Sequence, residues 1–306
     1  DRWYEFATNT QVLDGGAGRG IAAGGNTPGQ SNVLEFITIS TTGDSTDFGD
    51  MTVARQSNPS AHGSSTRGVV AGGQEWPANS NVIDFITFSS TGNASDFGDL
   101  SVARRNLIGN GNQTRGIFAG GQTPTVQDVI DYITMSQTGN AVDFGNLTVA
   151  KKQLGGTASS PTRSLFPGGS TPSDSNVIDF ITIPALGNAE DFGDLTVARI
   201  ETKGVSSSTR ACMMSGYAAP ANLNIIDFVT IATKGDARDF GDLTETISVA
   251  QSASNSIRGV RMGGITPLDV SMDYITIATR GDAVFFGDLL STHKEGAGMS
   301  NAHGGL

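Results

Sequence analysis

Cysteine is all but missing from this sequence: among 306 residues Cys212 stands alone. With no partner thiol the chain cannot close a disulfide on itself, and cysteine usage says nothing of the redox compartment. Histidine is nearly as scarce. His62, His293 and His303 fall at no paired spacing, which leaves no metal-ligand pattern and gives Cys212 no base to form a triad. Charge is thin as well. Only 16% of residues are Asp, Glu, Lys or Arg, and 30 acidic residues outnumber 19 basic ones for a net charge of −11. A phosphate backbone selects for Lys and Arg, so nucleic acid is not an expected partner. What the negative balance supplies is solubility. No apolar run approaches the roughly 18 residues of a membrane-spanning helix, so membrane insertion is not expected. Also missing is any sustained helical period closed by caps. The opening residues, Asp1-Arg-Trp-Tyr-Glu-Phe6, carry neither an initiator Met nor a signal-peptide pattern and read as a processed or trimmed start.

What is abundant is glycine, 41 residues, alongside Ser, Thr and Asn: the composition of many short strands joined by tight turns. The residues recur in order. One aromatic falls at Phe36, Phe85, Tyr132, Phe180, Phe228 and Tyr274, and a Phe follows each of them twelve residues later, at Phe48, Phe97, Phe144, Phe192, Phe240 and Phe286. The copies recur at 46 to 49 residues. Such a period marks a stacked or circular array, and six equal units can close into one body where length alone would suggest two domains.

Each unit divides into four strand-like pieces. The first is short and small-sided, as in Gly63-Ser-Ser, Gly109-Asn-Gly and Ser252-Ala-Ser. The second is Arg67-Gly-Val-Val-Ala-Gly-Gly73, echoed at Arg19, Arg115, Arg163, Arg210 and Arg258. The third is the β-branched and aromatic run Val82-Ile-Asp-Phe-Ile-Thr87, rich in strand formers. The fourth is Asp-Phe-Gly-Asp-Leu-Thr-Val-Ala-Arg, as at Asp191 to Arg199. Between third and fourth, Thr91-Gly92-Asn93 and its equivalents supply turn chemistry, since Gly and Asn tolerate positive φ. The second and third pieces carry apolar residues at adjacent positions, which a strand sandwiched between two neighbouring sheets requires. The expected fold is therefore all-β: a six-bladed β-propeller with four antiparallel strands per blade.

The Gly-Gly doublet ending the second strand, the aromatics of the third and fourth, and the Arg just after the fourth resemble the kelch repeat from Arg19 to about His293. The kelch pattern usually has Trp where this chain has Phe97 or Phe192, and a shorter gap between its aromatics. The wording Gly-Asn-Ala-x-Asp-Phe-Gly-Asp-Leu-Thr-Val-Ala-Arg, then Thr-Arg-Gly-x-x-Ala-Gly-Gly, is similar to repeats in virion structural proteins of tailed bacteriophages, marine cyanophages especially. That resemblance implies a tail or tail-fibre component in an extracellular particle. Its partners would be other virion proteins, with a host-surface glycan or protein as a further one. The alternative is a secreted or cell-surface glycan-binding or adhesion propeller. Copper-radical kelch-type propellers such as galactose oxidase need Tyr, His and Cys ligands; four Tyr and one Cys in no such grouping depart from that pattern. No enzyme signature and no cofactor are expected.

The units fall near residues 10–55, 56–104, 105–151, 152–199, 200–247 and 248–292, giving a propeller over 10–292. Residues 1–9 and 293–306 are then extensions or ring-closing strands. Both Asp14-Gly-Gly-Ala-Gly18 and Gly296-Ala-Gly-Met-Ser300 fit the small-sided strand of the first blade, and the N-terminal copy is favoured because it runs directly into Arg19. Trp3, Tyr4 and Phe6 concentrate apolar bulk outside the repeats, either covering an edge or tethering the body to a partner.

The once-per-blade Arg of the second strand (Arg67, Arg115) and carboxylate of the third (Asp84, Asp131), like the aromatics Phe97 and Phe144, read as structural: a catalytic pair does not need six copies. Pairing, or hydrogen bonding to a neighbouring blade's backbone, is expected of the charged groups. The Asp-Phe-Gly-Asp box lacks the rest of a kinase. It also lacks calcium-loop spacing, though Asp96 and Asp99 beside Asn93 could hold an ion; capping of the hairpin turn is the better account. Arg280-Gly281-Asp282 occupies the same turn and spells an integrin tripeptide by coincidence, and the glycosylation patterns at Asn93, Asn112 and Asn146 lack a secretory context. What varies is the loop between second and third strands, each holding a Pro: Pro28, Pro77, Pro124, Pro172, Pro220 and Pro267. Proline rigidifies such loops and lowers the entropy lost on binding. Asn26, Glu75, Trp76, Pro77, Gln122 and Tyr217 are the candidate binding-face residues, Trp and Tyr being favoured at contact centres.

Overall fold

The computed structural model describes residues 18–306 apart from Thr27, Thr157, Thr266 and Pro267. Trp3, Tyr4 and Phe6 lie outside the described residues. All regular structure in the described chain is strand. Six antiparallel sheets, each with the four strands of a blade, form a six-bladed β-propeller.

Blade 2 shows the plan. Its innermost strand Ser60–Gly63 pairs with Arg67–Ala71, which pairs with Val82–Thr87, which pairs with the outer strand Ser95–Asp99. Two expected strands shift. The inner strand begins at Ser60 and ends at Gly63, where the sequence reading had begun it. The Val-Ala-Arg stretch is not strand in blades 2, 3 and 4, where Val102 and Val149 are exposed; the chain there bends inward to bury the basic residue that follows. In blades 1 and 5 the outer strand does run through, as Thr46–Arg55 and Arg238–Ile247.

Ring closure corrects the favoured reading. The inner strand of blade 1 is Ala297–Ser300, from the C-terminal end, paired antiparallel with Gly20 to Ala23. The repeat's own spacing explains this. Ala297 follows His293 by four residues, as Ile108 follows Arg104 and Lys203 follows Arg199, so the C-terminal copy leaves blade 6 already in phase. Arg19 N then donates to Asn301 Oδ1 at 2.8 Å.

The core is six cores. Between blades 1 and 2, Ile21, Leu34, Phe48 and Met51 pack against Ala61, Val70, Ile86 and Phe88, and an equivalent cluster fills each of the other five clefts. Both faces of a middle strand are therefore buried, which is why its apolar residues run consecutively. Within each blade the two repeat aromatics meet edge to face, 6.0 Å apart for Phe85 and Phe97 and for Tyr132 and Phe144.

Charged residues lock each blade to the next. The guanidinium of Arg67 lies over the Phe85 ring at 4.7 Å and donates to Met135 O of blade 3 at 3.1 Å. Arg115 lies over Tyr132 at 4.9 Å and donates to Ile183 O of blade 4 at 2.6 Å. The same contact recurs at Arg19, Arg163, Arg210 and Arg258, the last reaching Ser40 O of blade 1 and closing the circle. In blades 2 to 5 the third-strand carboxylate has a different partner, the basic residue ending the preceding unit. Arg104 Nη1 meets Asp131 Oδ2 at 2.8 Å with both side chains fully buried, and Ser101 Oγ donates to Asp131 Oδ1 at 2.6 Å. Arg55 pairs with Asp84 in the same way, as do Lys151 with Asp179 and Arg199 with Asp227. At the closure His293 Nε2 lies 2.9 Å from Glu35 Oε1. Burial pushes the Glu35 carboxyl up, but His293, Ser45 and Ser291 hold it below the usual range.

Candidate functional site

The loops between second and third strands share one face with the connections from each outer strand to the next inner strand. Asn26, Gln122 and Tyr217 occupy one equivalent position there, immediately after the closing Gly of the second strand. Their backbones are already used. Gln122 N donates to Arg105 O at 2.8 Å and Arg105 N to Gln122 O at 3.0 Å, and Tyr217 makes the same pair of bonds with Ile200. Asn26 N donates to Lys294 O at 2.8 Å, and its side-chain amide donates to Gln56 Oε1 at 2.8 Å. All three are half-buried. This bracing engages the backbones of all three and leaves them as candidates for side-chain contact on the loop face.

Glu75, Trp76 and Pro77 behave differently. They form the tip of a small hairpin, Gln74–Glu75 against Ala78–Asn79, and all three are exposed. Trp76 is 71% exposed, more than any other large apolar side chain among the described residues. An indole in water with its flanking chain held by strand pairing can stack on an apolar or sugar face with little further ordering.

The opposite face carries the Asp-Phe-Gly-Asp hairpins. Asn93 Oδ1 accepts from Asp50 N of the preceding blade at 3.0 Å, and Gly92 N donates to Phe48 O at 2.7 Å. The capping expected within one hairpin therefore runs between blades. The box glycine makes this possible: at Gly98, with φ of 144°, an added Cβ would lie 2.5 Å from Gly139 O. The next hairpin passes where a side chain would be. Asp96 and Asp99 are not gathered with other ligands, and among the described residues no group of three His, Cys, Asp or Glu could hold a metal ion.

The axis is the third place where side chains gather. At its hairpin-face end the tail after Ser300 folds back across the centre. His303 Nε2 contacts Gly63 O at 2.6 Å, and Gly304 and Gly305 press against backbone at Ser207 and Gly111. His62 meets His303 edge to face at 5.1 Å. Burial pushes His62 down to about 3, with the His303 charge adding to it, and burial pushes His303 down to about 4. These two histidines, far apart in sequence, are brought together by ring closure alone. At the loop-face end, Asn106 N donates to Ser57 O, Gln153 N to Asn106 O and Glu201 N to Gln153 O, each at 2.9 Å, in a backbone chain around the opening. Cys212 is buried between blades 5 and 6, where burial pushes its thiol up to about 12. It is a packing residue and no nucleophile.

No protein-family model matches the chain, and no curated protein matches it.

Proposed function

We propose that this protein is a non-catalytic binding propeller of a phage virion, a tail or tail-fibre component that contacts other virion proteins or the host surface through its loop face. The observation that carries the reading is the contrast between the two rims. On the hairpin face, sequence and geometry are nearly invariant around the ring. The loop face varies from blade to blade and lifts Trp76 into solvent on a braced hairpin. Binding residues favour loops on a rigid scaffold, and Trp is among the side chains enriched at contact centres. The wording of the repeat, similar to that of cyanophage virion proteins, supports the virion class.

Mass spectrometry of purified particles from the source of this chain tests the class: peptides of the protein in intact virions are expected. Their absence, with the chain found free in the medium or on cells, sinks it. For the loop face, Trp76→Ala is expected to weaken adsorption or partner binding by about thirtyfold or more, since contact-centre residues contribute roughly 2 kcal/mol or more. Unchanged binding removes Trp76 from the site. The second reading, a secreted or surface lectin, also rests on Trp76, whose exposed ring suits a sugar face. A glycan array separates it: signal lost on Trp76→Ala supports it, and a blank array ends it.

A further inference from the structure

The inner wall of the axial channel gathers polar side chains away from the loop tips, and their arrangement owes nothing to the virion reading. Ser60, Ile108, Lys203, Gln251 and Ala297 each pair with the second-strand residue just before the closing doublet: Ala71, Ala119, Met214, Met262 and Ala23. They therefore stand at one level of the inner wall. Inside the loop-face opening a cavity of about 20 Å³ is lined from all six blades, with Ser60, Lys203, Ser252 and Gly298 among its walls. One water-sized particle needs roughly 10–15 Å³, so the enclosed part of the space suits one such particle.

The polar atoms around this space are unbalanced. Lys203 is 8% exposed, and its ammonium meets no hydrogen-bond acceptor and no carboxylate within ion-pair reach among the described residues. Glu201, near the mouth, is otherwise occupied: its Oε1 takes Gln153 Nε2 at 2.6 Å and lies 3.5 Å from Asn58 Nδ2. Burial pulls the Lys203 ammonium below its usual value, with Glu201 only opposing that shift. On the next blade, Gln251 is fully buried. Its Oε1 accepts from Ala23 N at 3.1 Å while its Nε2 has no acceptor, and that nitrogen abuts Gly296, which also lines the cavity. Ser60 Oγ, on the wall of blade 2, is unpartnered too. Of these unpartnered side-chain atoms Gln251 Nε2 can only donate, Ser60 Oγ can donate or accept, and Asn58 Oδ1, at the mouth, can only accept. The Lys203 ammonium adds a donor that carries a full charge. The only charge drawn to the Lys203 ammonium is Glu201, which is shared with Gln153 and Asn58, and a cation here would add to the excess of positive charge.

We propose that the channel binds one small monatomic anion, of halide size, against the Lys203 ammonium. The ion supplies the missing acceptor for Lys203 and fills the space that six small-sided inner strands leave open.

Crystals grown or soaked in bromide test this directly. An anomalous peak in the channel within hydrogen-bonding range of Lys203 Nζ is expected for the wild type and is expected to vanish in Lys203→Met. In solution, the melting temperature of the wild type should rise and saturate with added chloride relative to gluconate at matched ionic strength, and that difference should be absent in Lys203→Met and in Lys203→Gln. An anomalous map with no bromide beside Lys203, or a chloride response equal in wild type and both variants, overturns the proposal. The bromide experiment needs only the wild-type protein, so a variant that fails to fold leaves the test intact.

Discussion

At the scale of single residues, the most consequential side chains are charged or titratable groups that the fold has taken out of water. The His62 and His303 pair makes this measurable. Unfolded, each titrates near about 6.5; folded, they are pushed down to about 3 and about 4. As pH falls below about 6.5 the unfolded chain takes up protons that the folded chain refuses, so stability drops through the window down to about 3, His303 ceasing to add to the loss at about 4. The melting temperature is therefore expected to fall steadily across that window, and to fall less steeply in the double variant His62→Gln with His303→Gln. Equal slopes would mean that the pair is not buried as described. Glu35, held below its usual range, adds a loss only at the lower end, because its stabilisation is full above about 4.5 and disappears as it protonates. Neither histidine stood out in the sequence. A pairing that depends on the tail returning to the axis leaves no local pattern, whereas Phe97 or Asp131 is announced by recurring six times.

At the scale of elements, the repeat explains itself best where it fails. Every carboxylate of the third strand needs a cation, and in four blades the preceding unit's final residue supplies Arg or Lys. Blade 5 ends in Ile247, leaving Asp273 of blade 6 without that partner. The replacement is Arg261, which stands where the other second strands have Ala22, Val70, Phe118, Phe166 and Met213, and its Nη2 reaches Asp273 Oδ2 at 2.6 Å. Cation and apolar side chain have exchanged strands. Arg261→Val alone should strand a buried carboxylate and destabilise the protein by about 3–5 kcal/mol. Adding Ile247→Arg, which restores the common pattern, should recover most of that loss in urea denaturation. If the double variant is no more stable than the single one, the exchange is not what holds Asp273. The sequence made the six-fold plan, the strand identities and the between-blade role of Arg67 and Arg115 legible, because each rests on a period. The actual partner of Asp84 and Asp131 was not legible: the Arg that recurs beside them in the unit is their neighbour only in the chain, and the Arg that meets them arrives from the unit before. Nor did the sequence carry a signal for the glycine of the Asp-Phe-Gly-Asp box, which makes room for the backbone of the next hairpin.

At the scale of the whole molecule, the ring is held at one seam by strand pairing instead of chain continuity, and that seam sets its cooperativity. Ala297–Ser300 fills the inner place of blade 1, so the last strand fastens the first, with Met299 and Ala297 buried in the cleft between blades 1 and 2. Burying a side chain such as Met299 is worth about 1.5–3 kcal/mol, and each strand hydrogen bond adds about 0.5–1.5 kcal/mol net. The seam therefore holds several kcal/mol of a total near 5–15 kcal/mol. Two truncations separate its parts. Removing residues 301–306 takes away His303 and the tail that crosses the axis but leaves the closing strand; this protein should still fold, with a modestly lower denaturation midpoint and a flattened pH response. Removing residues 297–306 also strips the inner edge of blade 1 from Gly20 to Ala23 and opens the cleft beside it. That protein should lose its single cooperative transition and associate through the freed edge, which size-exclusion chromatography and urea titration would both report. If the two truncations unfold alike, the tail and not the paired strand is what keeps the blades in a circle.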